Sequence, residues 1–227
     1  PDGIRDSSTS RGLGDVYKRQ NYKTPSTPNE PAEAVENGLI YLIKEYDIDP
    51  LTINYLGHGT TVALNMLLEQ RAKSIGLLTT RGFRDVLEIG RQTRPNLYNY
   101  EIKRPEPLAK RSHRIEIPER INVDGIVQLP LDHGVVEQAA LDFLNNDIEA
   151  IAICFLHSYK NANHEIQAAE IIRNTLPNAF LSLSSEVLPE FREYERTSTT
   201  AVNTYVGPRM QLYLQKLKER IDRLGKH

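Results

Sequence analysis

Tryptophan is absent from this 227-residue chain, cysteine occurs once, methionine twice, and aromatic residues make up only 7%. A single cysteine excludes an intrachain disulfide, so no covalent bridge supports the fold. That cysteine, Cys154, lies in the apolar run Ile151-Ala152-Ile153-Cys154-Phe155-Leu156, the pattern of a buried strand residue in a reducing compartment. An excess of one charge is also lacking: 28 Lys and Arg against 30 Asp and Glu leave a formal net charge of −2. Nucleic-acid partners are not expected, because phosphate binding usually leaves a basic footprint. No apolar run approaches the roughly 20 residues that cross a bilayer, and no basic segment leads into an apolar stretch at the start. No membrane partner is expected, and the cytoplasm is the expected location. What remains is 39% hydrophobic content, enough at this length to bury a real core.

Residues 1–20 have neither helical nor strand periodicity and are rich in Gly, Ser, Arg and Asp. They resemble a translated sequencing-adaptor read-through and are expected to be a disordered, non-native tail. Gly12-Leu13-Gly14 within them is not a phosphate loop, since no hydrophobic strand precedes it and no helix follows.

From residue 21 the pattern becomes regular. Pro31 suits the first turn of a helix carrying Val35, Leu39, Leu42, Ile43 and Tyr46 at helical spacing. A strand over residues 52–56 should then lead through His58-Gly59-Thr60-Thr61 into a helix with Val62, Met66 and Leu67, ending near residue 71. Residues 74–80 read as a buried parallel strand and residues 81–87 as the start of a short helix, followed by a loop to residue 111. Short antiparallel strands are expected over 114–117, 119–123 and 126–128, the last two joined by a hairpin at Asp124-Gly125. A helix (135–144), a strand (150–156), a helix (164–174), a strand (179–183) and a long helix (198–224) complete the pattern. Such alternation predicts an α/β fold: a mixed, mainly parallel sheet with flanking helices and a small β insertion.

Polar clusters stand at the predicted strand ends: the His58 turn, Thr79-Thr80-Arg81-Gly82, His157-Ser158-Tyr159 and Ser184-Ser185-Glu186. In open α/β sheets ligands collect at the carboxyl ends of strands, and helix starts there favour anions. His58 reads either as a ligand-orienting residue or as a capping one, and Arg81 and Arg84 as an anion clamp or surface charges. His157, His164 and Glu165 lack the compact spacing of a metal site, and no metal is expected. Glu193-Tyr194-Glu195-Arg196-Thr197-Ser198-Thr199-Thr200 reads equally as a helix cap with acidic residues at its start or as a hydroxyl-lined pocket wall. No Gly-x-Ser-x-Gly elbow is present to support covalent catalysis.

Five segments in order, HGTTVALNMLLE, TTRGFRDVLEIGRQTRPNLY, IPERINVDG, CFLHSYKNANHE and SEVLPEFREYERTSTTAVNTYV, resemble the N-terminal region of the hydantoinase A / 5-oxoprolinase family. The resemblance runs over residues 22–214, with residues 215–227 as the end of a helix after which the family chain would continue. It implies a partial lobe of the actin and sugar-kinase (ribonuclease H-like) superfamily lacking its first strands. It also implies ATP- and Mg2+-dependent opening of a cyclic amide such as 5-oxoproline or a hydantoin, by phosphorylation of the carbonyl oxygen. By the same resemblance His58, Thr60 and Thr61 are catalytic candidates. Gly59, Asn65, Arg81, Gly82, Asp85, Arg196, Thr197, Ser198 and Thr199 are candidates for binding substrate or nucleotide, and Phe83 shares their motif. The partners implied are the remaining family domains or a hydantoinase B-like subunit in a homo- or hetero-oligomer.

The family's Asp-x-Gly-Gly-Thr-x-Thr-Asp phosphate hairpin should precede Lys23-Thr24-Pro25-Ser26-Thr27-Pro28, where the foreign-looking tail stands, and the second phosphate loop should follow residue 227. The chain is therefore expected to be a fragment, inactive alone, without tight nucleotide binding and with an unpaired sheet edge prone to association. The alternatives are a non-catalytic or nucleotide-binding subunit of a ketone carboxylase complex and a small-molecule kinase of the same superfamily.

Overall fold

The computed structural model describes residues 22–25, 27, 30–69, 73–92 and 106–224, so the opening tail and most of the 90–111 loop lie outside the described residues. It divides into two compact units, residues 57–215 and residues 1–56 with 216–227.

In the larger unit, strands β1 (Gly76–Thr80), β2 (Arg114–Ile117), β5 (Ala150–Cys154) and β6 (Phe180–Leu183) form one wholly parallel sheet in the order β2-β1-β5-β6. Strands β3 (Arg120–Ile121) and β4 (Val127–Leu129) pair antiparallel in a separate ribbon. Helices α2 (Val62–Glu69), α3 (Val86–Ile89), α4 (His133–Asn145), α5 (Asn163–Thr175), α6 (Ser184–Val187) and, as far as residue 215, α7 (Glu193–Leu224) complete this unit.

Alternation along the strands builds two cores, because successive side chains point to opposite faces of a sheet. Leu78, Ile151, Ile153 and Leu183 pack with Val136, Ala140 and Phe143 of α4 and Ala168, Ala169 and Ile172 of α5. Leu77, Ala152 and Cys154 pack on the other face with Ala201 and Tyr205 of α7, and Leu67 of α2 joins them. The predicted α/β class with a mainly parallel sheet and flanking helices is what forms.

Gly207 in α7 lies against the Phe180 ring of β6: a Cβ there would stand 2.1 Å from Cζ and 2.3 Å from Cε1. Gly207→Ala sets a helix-propensity gain of about 1 kcal/mol against an overpacking cost of about 1–3 kcal/mol. A net loss in chemical denaturation is expected, reversed when Phe180→Leu is added. A stabilised single variant would show that the ring swings aside at little cost.

Several sequence expectations are corrected. No strand forms over residues 52–56; residues 50–52 make a 3-10 turn and Ile53, Tyr55 and Leu56 are exposed. The alternation there is β-like, but a strand needs a backbone ladder, and no described strand pairs with it. Residues 114–117 are the edge strand of the parallel sheet, registered as Leu77 opposite Arg114 through Thr80 opposite Ile117, and are not part of an antiparallel meander. The hairpin at Asp124-Gly125 exists, but its loop covers residues 122–126. Asn122 Oδ1 accepts from the backbone of Asp124 (3.0 Å) and Ile126 (2.9 Å), and Gly125 takes φ 83°. The last helix begins at Glu193 rather than Ser198, with Glu193 and Glu195 in its first turn, where negative charge is favoured; Thr197, Thr200 and Thr204 each donate to the carbonyl four residues back, at 2.6 to 2.7 Å.

The smaller unit contains α1 (Pro31–Glu45), started by Pro31 in its first turn. Arg220, near the end of α7, bonds Glu30 (2.9 Å) and Glu36, and its hydrogen bond holds the Glu30 carboxyl below its ordinary value, with Lys216 adding to the effect. Tyr22 stacks on Tyr41 with ring centroids 3.9 Å apart.

Candidate functional site

From β1 the chain passes to β2 on one side and later to β5 on the other. The carboxyl ends of β1 and β5 therefore flank a topological switch point, the place where open α/β sheets bind ligands. Thr80 ends β1 there: its hydroxyl accepts the Leu156 N–H at 2.9 Å and donates to Glu119. The other Glu119 oxygen accepts from His164 Nδ1 at 2.7 Å. All three side chains are buried, so the acid is matched by donors as a buried carboxylate requires.

A second buried acid lies one residue on. Glu165 accepts from Phe155 N (2.9 Å), Ser184 Oγ (2.6 Å) and Ser185 N (2.9 Å), tying the end of β5 to the start of α6. Ser158 Oγ is 3.0 Å from Ser184 Oγ. Beside them Arg196, 1% exposed, donates Nη2 to the Phe155 carbonyl at 2.6 Å and stands 5.6 Å from the Tyr159 ring centroid. Its Nε and Nη1 are buried without a hydrogen-bond partner among the described residues. Cys154 Sγ is 3.0 Å from Thr197 Oγ1, and burial pushes its thiol up.

His157 follows β5 with φ 56°, a left-handed conformation uncommon outside glycine. Burial first, then the charges of Arg120 and Arg196, depress its imidazole below the ordinary value, while Glu193 and Glu119 act the other way. His164 and Glu165 are committed to separate hydrogen-bond sets. No group of three His, Cys, Asp or Glu side chains that could hold a metal gathers among the described residues.

The sequence candidates separate into two places. Arg196 and Thr197 reach the end of β5, whereas Ser198 is only half-buried and Thr199 is exposed on α7. Arg81 N donates to Ile117 O at 3.0 Å, and Gly82, at φ 91°, donates to Glu116 Oε1 at 2.7 Å, shaping the turn after β1. Asp85 is taken up by Arg111, with bonds of 2.9 and 3.0 Å that hold its carboxyl below the ordinary range. His58, Gly59, Thr60, Thr61 and Asn65 lie elsewhere. They are exposed, Thr60 Oγ1 accepts Val62 N at 3.2 Å as a cap, and Thr61 O accepts Asn65 N at 2.9 Å. His58 Nε2 is 2.5 Å from the hydroxyl of Tyr213. Tyr213 stands 17 positions beyond Arg196 on α7, about 25 Å along a helix axis at 1.5 Å per residue.

Glu119, His164 and Glu165 were not singled out as site residues from the sequence. Glu165 had a visible signal: it shares one helical face with the apolar Ala168, Ala169 and Ile172. An acid on an apolar face needs buried donors. A cleft of about 410 Å³ lies along the outer edge of β2, lined by Arg84, His113, Arg114, Glu116 and Asp142.

The family model described as the hydantoinase/oxoprolinase N-terminal region matches residues 14–176, a range that starts within the opening twenty residues. An uncharacterized protein of Methanocaldococcus jannaschii is 41% identical over 93% of this chain and 31% of its own length. The caprolactamase subunit alpha of Pseudomonas jessenii is 36% identical over 91% of this chain and 30% of its own. The crystal structure of the ATP-dependent caprolactamase from that organism superposes with a TM-score of 0.81, over 91% of this chain and 31% of that one. A nucleotide-free acetone carboxylase, 24% identical, superposes with a TM-score of 0.80 over 89% of this chain and 31% of its own, a likeness of fold. The chain thus spans about 31% of the length of these relatives. With the model matched over most of its length, and with relatives above 30% identity sharing nearly all of it, the chain belongs to the hydantoinase/oxoprolinase family.

Proposed function

We propose that this chain is part of an ATP-dependent hydrolase that opens cyclic amides. The observation that carries the reading is the fit of 91% of the chain to the ATP-dependent caprolactamase at 36% identity and a TM-score of 0.81. ATP, held by the complete enzyme, supplies a phosphoryl group that makes the amide carbon attackable by water. The part assigned to this chain is one wall of the cleft. The end of β5, with a buried guanidinium that has donors to spare, suits an anionic group of substrate or nucleotide. The exposed His58-Gly59-Thr60-Thr61 turn opens α2 at a separate place, where it can face other domains or a partner subunit of the complete assembly.

The test is ADP release and ring opening measured with 5-oxoproline, a hydantoin and ε-caprolactam, using the 227-residue chain alone and the complete enzyme. Coupled turnover by the complete enzyme and none by the chain alone is expected. Phosphorylation of a hydroxyl compound, or turnover only with a ketone and bicarbonate, would overturn the reading in favour of a kinase or a carboxylase subunit.

A further inference from the structure

We infer that the carboxyl end of β5 is an oxyanion site built from Arg196, Arg120 and His157, taking a carboxylate or phosphoryl group. It deepens the proposed function and rests on it only for the identity of the group bound.

Arg196 is the central observation. Guanidinium carries five donors, and burying it costs several kcal/mol unless it is paired. Here one nitrogen reaches a carbonyl oxygen, Nε and Nη1 have no partner among the described residues, and the aromatic face of Tyr159 lies beside the group. An interior water offers one oxygen to these two N–H groups. An oxyanion brings several acceptor lone pairs as well as negative charge, and guanidinium binds such groups strongly.

The surroundings converge on the same end of the sheet. Arg120 begins the β3–β4 ribbon and stands 5.6 Å from the ring centroid of Phe83, in the turn that follows β1. The ribbon is fixed to the β5–α5 loop by Asn161, whose Nδ2 donates to Gly125 O at 2.9 Å. His157 is turned by its left-handed backbone and meets the Tyr159 ring edge-on at 6.0 Å. The fields of both Arg120 and Arg196 reach its imidazole. Among the described residues, none of the acids nearby accepts from Arg196 Nε or Nη1: Glu119 is engaged by Thr80 and His164, Glu165 by Phe155 N, Ser184 and Ser185 N, and Glu193 is exposed. These groups stand at the switch point between β1 and β5, the place where open α/β sheets bind ligands.

The 15N-labelled 227-residue chain is titrated separately with inorganic phosphate and with acetate, at constant ionic strength held with chloride. The Arg196 Nε–H signal is followed by NMR and the affinity by calorimetry. A saturable shift is expected, and the tighter of the two probes identifies the source as phosphoryl or carboxylate. Arg120→Gln and His157→Gln should weaken binding about tenfold each, and Arg196→Lys more, as loss of a charged hydrogen bond implies. Arg173→Gln, an exposed change on α5, should leave it unaltered. No saturable binding of either probe, or equal binding in Arg120→Gln and Arg173→Gln, overturns the site even if Arg196→Lys fails to fold. Ring opening by the complete enzyme without anion binding here would remove the site and leave the proposed function standing.

Discussion

Glu165→Ala is expected to lower the unfolding free energy of the chain by about 3–5 kcal/mol, the range for removing one side of a buried charged hydrogen-bond set. Glu165 is fully buried and accepts three hydrogen bonds, from Phe155 N, Ser184 Oγ and Ser185 N. Two of these donors are backbone N–H groups at chain turns, one after β5 and one in the first turn of α6. Neither N–H has a ladder or helix carbonyl available, so alanine leaves both orphaned inside the protein. The acid also lies in the first turn of α5, where negative charge is favoured. Glu165→Gln keeps the volume and one acceptor oxygen but turns an NH2 group toward a donor, and should fall between alanine and wild type. Urea denaturation of the three proteins checks the order. A loss below about 1 kcal/mol for alanine would mean that water enters and replaces the carboxylate, and that the junction is wetter than its burial implies.

What the sequence disclosed and what it hid follow from the range of the interactions involved. The helices and the buried strands of the larger unit were legible because their periodicity is local: Ile151-Ala152-Ile153-Cys154 must be covered on both faces, and β5 is. The order of strands was not legible. Arg114-Ile115-Glu116-Ile117 alternates like half of a hairpin, yet it pairs parallel with β1, across more than thirty positions of chain, because Ile117 completes a core on one face. Residues 52–56 show the opposite error. Their alternation satisfies every local criterion for a strand, but a strand is a pairing, and their side chains stand exposed. The hydroxyl run 197–200 favours no secondary structure by propensity, yet it lies inside α7, where Thr197 and Thr200 each donate to the carbonyl four residues back. Candidate residues followed the same division. Arg196 was found through its motif, but its significance is its burial; Glu165 was weighed only as a metal ligand, and Glu119 only as part of a motif, although both are buried acids that organise the strand ends.

Gly76→Val should cost about 3 kcal/mol, although β-propensity alone favours valine by up to about 1 kcal/mol at a strand position. Gly76 opens β1, the strand between β2 and β5, and pairs with Ile151. A Cβ on it would meet Phe143 Cε1 at 2.7 Å, Phe143 Cζ at 2.9 Å and Ile148 Cγ2 at 3.1 Å. Unlike the half-buried Phe180 beside Gly207, Phe143 is only 2% exposed and is held among Val136, Ala139, Ala140 and Ile172. Its ring has no direction in which to yield without displacing α4 from the sheet, because such interiors are packed as densely as crystals. The glycine is therefore what allows α4 to lie close over β1, and propensity is the smaller of the two effects. Thermal and urea unfolding of Gly76→Ala and Gly76→Val should show a graded loss, with alanine nearer 1–2 kcal/mol by the same overpacking range. Phe143→Leu shortens the opposing ring and costs stability alone, but combined with Gly76→Ala the two losses should sum to less than their separate values. Additive losses would show that Gly76 and Phe143 do not press on each other, and would remove the close approach of α4 to β1 as the reason for glycine at this position.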